Sequence, residues 1–249
     1  MDTPPEHIKK PTSNEIFLSN TTIKRLLTDV KSLYKDPLTD HNIHYIHDDK
    51  DVLKGYALII GPEDSVYYGG AYLFEFNFPD NYPFAPPTVL FKTQDGVTRF
   101  NPNLYKNGKV CVSILNTWQG EEWSSCQSIS SVLLTLVSLL NSQPLLNEPG
   151  ITDKHPDFNN YNKSICYKNI DVAIVRFLDE SNWPLKFKQF YTLYLGFFQK
   201  HKKTIEDLIN KFKLDEPQNK IYHVGLYYMN TEVDYVNLHK EFLFASANL

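Results

Sequence analysis

The chain has 249 residues with 42% hydrophobic and 14% aromatic content, enough to bury one large core or a core with an appendage. Its formal net charge of -4 excludes a global electrostatic pull toward nucleic acid or anionic lipid, so neither partner is expected. Three cysteines, Cys111, Cys126 and Cys166, are odd in number and form no C-x-x-C pair, which argues for a reducing compartment, cytoplasm or nucleus, and against zinc or a redox dithiol.

The polar, Pro-rich residues 1–15 lack the apolar run of a signal peptide and are expected to be unstructured. From there, Ile23, Leu26, Leu27, Val30, Leu33 and Tyr34 fall at helical spacing, with Lys24, Arg25 and Lys31 on the outer face and Pro37 beyond the end. Four strand-like runs follow, "IHYIH", "VLKGYALIIG", "AYLFEFNFP" and "TVLFKT", joined by Gly/Pro/Asp/Asn-rich links short enough for an antiparallel meander. A cysteine-bearing segment, "RFNPNLYKNGKVCVSILNTW", comes next. Ile129, Val132, Leu133, Leu136, Val137 and Leu140 then form a second helical stripe behind Ser128, an N-cap residue type.

A polar loop is expected from Ser142 to about Tyr161. One helix is marked beyond it by Ile170, Ala173, Ile174, Phe177 and Leu178, and another by Ile205, Leu208, Ile209 and Phe212, so the last third reads as helical. The longest apolar segment, "SVLLTLVSLL", is too short to span a bilayer. This order of elements is that of an α+β domain whose sheet is segregated from its helices.

His41, His44 and His47 stand three apart, but in a strand that spacing sends neighbours to opposite faces, so all three do not converge on a metal. In "YPFAPP" the prolines stiffen a loop, and Phe84 either packs inward or stands out as a partner anchor. Cys111 has two readings from its residues alone. Free cysteine behaves as a small buried hydrophobe, and "KVCVSIL" is apolar, yet it follows a turn-rich loop of the kind that carries function. No histidine lies within forty residues of it.

The segment "NPNLYKNGKVCVSIL" resembles the active-site loop of the ubiquitin-conjugating enzymes (E2 proteins), whose pattern is His-Pro-Asn and then cysteine eight residues after that asparagine. Here Asn103 to Cys111 is that interval. The other landmarks stand in order: "IKRLLTDVKSLYKDP", the run from "IIGPEDSVYYGG" through "NYPFAPPTVLFKT", Trp123, "SISSVLLTLVSLL" and "NEPG". The resemblance covers roughly residues 20–165 and is strongest to the class Z branch, which also carries a helical C-terminal extension.

This resemblance implies the ubiquitin-conjugating fold: N-terminal helix, four-stranded antiparallel meander, active-site loop and C-terminal helices. It divides the chain into a catalytic domain over 16–167 and a helical extension over 168–249. It implies that Cys111 accepts ubiquitin, or a ubiquitin-like protein, as a thioester from an activating enzyme. A substrate lysine then receives it, usually with a ligase. ATP is used by the activating enzyme, so no cofactor or metal is expected in this chain.

By similarity, Asn103 either donates to the developing oxyanion or holds the loop. Glu148, with Asn147 as the alternative, matches an acidic position that orients the incoming lysine. Lys24, Arg25 and Lys31 match the surface that meets the activating enzyme, and Phe84 and Ser125 match the ligase-contacting loops. Three departures stand out: Asn101 replaces the usual histidine, Ser113 stands where many members have aspartate, and "TWQGEE" lengthens the loop before Trp123. A noncatalytic ubiquitin-binding variant of the fold is the competing reading, disfavoured because such variants lack the cysteine. A cysteine hydrolase would need a paired base, for which the sequence offers no motif.

Overall fold

The computed structural model describes residues 19–249; the expected unstructured segment, 1–15, lies outside them. Helix α1 (Asn20–Lys35) starts where the Ser19 hydroxyl accepts from the Thr22 N–H at 3.0 Å. It buries Leu26 and Leu33 and leaves Lys24, Leu27 and Lys31 in solvent. Four strands follow, β1 (Ile43–His47), β2 (Lys54–Ile60), β3 (Ala71–Asn77) and β4 (Thr88–Phe91), paired in that order and all antiparallel, as the short links indicated. Helix α2 (Ile129–Leu139) opens on Ser128 in a reciprocal capping box with Ser131.

Because strand side chains alternate, β2 and β3 feed two cores. Ala57, Ile59, Tyr72, Phe74 and Phe76 face α1 and α2, packing on Leu26, Leu33, Val132, Leu133 and Leu136. Tyr56, Leu58, Ile60, Ala71 and Leu73 point the other way, onto Ile174, Phe177, Trp183, Phe187, Phe190 and Tyr194 of the C-terminal third. The sheet is therefore covered on both faces, the condition under which a strand reads as a continuous apolar run such as "YALII". Gly70 permits the close approach: a Cβ there would come within 2.1 Å of Asn169 Oδ1, whose amide bridges the Tyr72 hydroxyl at 2.7 Å and the Tyr68 carbonyl at 3.0 Å.

The C-terminal third corrects the sequence reading in two places. The expected polar loop ends early, because helix α3 (Phe158–Lys168) begins within it and continues through a π-turn (Asn169–Ile174) into a 3₁₀ turn (Val175–Leu178). The run Asn159, Asn160, Asn162 weakens the helical signal, since asparagine favours turns, while Phe158, Tyr161 and Ile165 still bury one stripe. The final third is also not wholly helical. Between α4 (Tyr191–Asp215) and α5 (Tyr235–Ala247) lies an antiparallel hairpin of β5 (Lys220–Val224) and β6 (Met229–Val233). Its period-two burial of Met229, Thr231 and Val233 is the strand signature.

Candidate active site

Between β4 and α2 the chain folds back on itself around Asn107-Gly108. Gly108 sits at φ +87°, and a Cβ there would come 2.9 Å from the Phe91 carbonyl, so the turn demands glycine. Two reciprocal hydrogen bonds close the base of this loop. The Cys111 N–H donates to the Asn103 carbonyl at 2.9 Å, and Asn103 Nδ2 donates to the Cys111 carbonyl at 2.6 Å. On the far side, Thr117 Oγ1 accepts from the Val112 N–H at 3.0 Å and lies 3.1 Å from the Val110 carbonyl. The cysteine backbone is thus gripped on both flanks, and Cys111 is only 2% exposed.

Asn101 explains the missing histidine. Fully buried, it donates through Nδ2 to the Leu139 carbonyl at 2.8 Å and the Tyr67 hydroxyl at 3.0 Å, while Oδ1 accepts from the Asn103 N–H at 3.0 Å. A neutral imidazole offers one donor and one acceptor; this site uses two donors and an acceptor, the inventory of an amide. Asn147 Nδ2 adds a 3.1 Å bond to the same Leu139 carbonyl and lies 3.4 Å from Asn101 Oδ1. Asn147 therefore belongs to the packing that supports the loop.

Glu148, next in sequence, has a different partner: its Oε2 accepts from the Tyr227 hydroxyl at 2.6 Å, in the turn between β5 and β6. Phe84 is 72% exposed and Ser125 is exposed, so the packing alternative for Phe84 does not hold. Trp123 joins their loops by donating Nε1–H to the Pro83 carbonyl at 2.7 Å. Glu121 and Glu122 are exposed at the end of the lengthened loop.

Arg25 departs from the expected basic face. Its guanidinium turns inward to Asp29 at 2.9 Å and to the carbonyls of Ser125 and Gln127, leaving Lys24 and Lys31 as the exposed cations among the three. Of the histidines, His47 bonds the Tyr45 hydroxyl and the Val52 carbonyl, both at 2.8 Å, and His41 lies in a separate 3₁₀ turn. The described residues contain no grouping of three metal-ligating side chains, and no helix among them is long and apolar enough to cross a membrane. Sequence reasoning missed Thr117, Tyr67 and Tyr227; Thr117 lay within the recognised motif, whereas Tyr227 is far from it in the chain.

A helix, a four-stranded meander and a cysteine loop closed by asparagine define a ubiquitin-conjugating domain. Residues 25–169 match the sequence model of the ubiquitin-conjugating enzymes, and the chain belongs to that family. Ubiquitin-conjugating enzyme E2 Z of Danio rerio is 43% identical over 190 residues, 72% of this chain and 57% of the relative. The Homo sapiens enzyme of the same name is 47% identical over 153 residues, 60% of this chain and 43% of the relative. The dual E2 ubiquitin-conjugating enzyme/E3 ubiquitin-protein ligase BIRC6 of Homo sapiens is 43% identical over 123 residues, 46% of this chain and 2% of that protein. The chain spans about half the length of the E2 Z relatives it matches.

Proposed function

We propose that the chain is a thioester carrier: Cys111 receives the C-terminal acyl group of ubiquitin, or of a ubiquitin-like protein, from an activating enzyme and passes it to a substrate lysine. The observation that carries this reading is the reciprocal Asn103–Cys111 clamp, at the family's eight-residue interval. Loading exchanges one thioester for another and is nearly balanced, so a small thiolate fraction of an intrinsically nucleophilic thiol is sufficient without a dedicated base. Retention of the cysteine speaks against a noncatalytic variant.

Discharge is the harder step. The acceptor ammonium first loses a proton to water. Its free amine then attacks the carbonyl, the C–N bond forms, the C–S bond breaks and Cys111 leaves as thiolate, which recovers a proton equivalent to the one the new amide releases. Asn103 Nδ2 spends one N–H on the Cys111 carbonyl, and its second supplies the donor for the oxyanion. Glu148 orients the incoming ammonium. Lys24 and Lys31 face the activating enzyme, and Phe84 and Ser125 face the ligase. Incubation with activating enzyme, ATP and ubiquitin is expected to give an adduct cleaved by reducing agent and absent in Cys111→Ala. Absence of a thiol-labile adduct, with ubiquitin and with a second modifier and its activating enzyme run alongside, overturns the reading.

A further inference from the structure

The turn between β5 and β6 is docked at the active-site loop. Tyr227 sits at its centre and touches that region through every part of itself. The ring packs edge-on against Tyr161 at 5.4 Å, and the Arg99 guanidinium lies 4.3 Å from its centroid and 3.9 Å from that of Tyr105. Its carbonyl accepts from Lys106 Nζ at 3.2 Å, at the tip of the loop whose base holds Cys111. Its hydroxyl donates to Glu148. The neighbouring Leu226 N–H is held by Asp157 Oδ2 at 2.8 Å, so the turn is anchored independently of Tyr227.

Burial, reinforced by the Glu148 carboxylate, holds the Tyr227 phenol protonated well above its ordinary range, so the hydroxyl is a permanent donor. A 2.6 Å O–H to carboxylate bond is of the short, charge-assisted kind and fixes the rotamer of the acid. It engages only Oε2. No donor among the described residues occupies Glu148 Oε1, which leaves that oxygen for an incoming cation.

We infer that Tyr227 is a positioning residue for lysine transfer: the C-terminal extension reaches back through its hydroxyl to aim Glu148 at the acceptor ammonium. This rests on the thioester reading above and adds to it a role for the extension. Glu148 comes from the loop after α2 and Cys111 from the loop before it, and among the described residues the Glu148 side chain takes a hydrogen bond from Tyr227 alone. A carboxylate free to rotate pays ordering entropy each time a lysine binds.

The test is single-turnover discharge of the purified thioester at a series of free-lysine concentrations, using the full chain. Tyr227→Phe keeps the ring with Arg99 and Tyr161 and removes only the hydroxyl. Its expected effect is a rise of about tenfold in half-saturating lysine, the worth of one hydrogen bond to a charged group, with the limiting rate nearly preserved. Hydroxylamine, which attacks already deprotonated, serves as the reference nucleophile and should discharge both proteins alike. In a Glu148→Gln background, Tyr227→Phe should add little, because the two substitutions remove one device. Wild-type lysine dependence in Tyr227→Phe overturns the inference while leaving the carrier reading intact. So does an equal loss toward lysine and hydroxylamine with a lowered melting temperature, which marks a purely structural tyrosine. Failure of the wild-type protein to form a thioester overturns both.

Discussion

Around Cys111 the decisive groups are amides. Asn101 satisfies three buried partners from Leu139, Tyr67 and Asn103 at once, and Asn103 in turn holds the Cys111 carbonyl, so the cysteine loop is preorganised by a short relay of neutral hydrogen bonds. Neutral donors suit the proposed transfer, in which negative charge appears only transiently, because they need no charge compensation in the resting protein. Asn103→Ala strips the Cys111 carbonyl of its side-chain donor and the oxyanion of its proposed one. The expected structural cost is about 1–2 kcal/mol in urea unfolding. Loading should largely survive, while discharge onto free lysine falls on the order of a hundredfold. Equal losses in the two steps would reduce Asn103 to a loop support.

The elements differ in how legible they were, and the reasons are physical. Helices α1 and α2 are each apolar on one side and capped by serine, so periodicity marks them directly. Strand β2 is apolar from Tyr56 to Ile60 because both its faces are buried there, a pattern that signals a strand but not what covers its second face. Asparagines dilute α3, and the β5–β6 hairpin alternates over only five residues a strand. At the site, the resemblance to the family's active-site loop singled out Asn103 and Cys111, which the structure joins by two hydrogen bonds. The Tyr227–Glu148 bond spans 79 residues and left no local pattern.

The C-terminal third also packs the second face of the sheet. Phe187 is buried edge-on to Tyr56 of β2 at 5.3 Å, so Phe187→Ala is expected to cost about 3–5 kcal/mol and to shift one cooperative unfolding transition. A cost under about 1 kcal/mol, or a separate early transition for the C-terminal third, would show that the sheet holds without its cover.

For the molecule as a whole, pH links these layers. Burial lowers the affinity of His44, His47 and His239 for protons below the ordinary value of 6.5, so the unfolded chain binds more protons in that range. Stability is therefore full above about pH 6.5 and declines as pH falls through it. Asp48, which Lys186 holds well below the carboxylate range across the junction of sheet and extension, deepens the loss below about pH 4. Urea midpoints measured from about pH 8 to 5 should be level at first and then fall; a flat profile down to about pH 5 would contradict this assignment. Whether Cys111 carries the acyl group is decided by peptide mapping of the protein after loading with activating enzyme, ATP and ubiquitin. A thioester is expected on the Cys111 peptide, with the exposed Cys126 and the half-buried Cys166 unmodified. Attachment at Cys126, Cys166 or a lysine instead would contradict it.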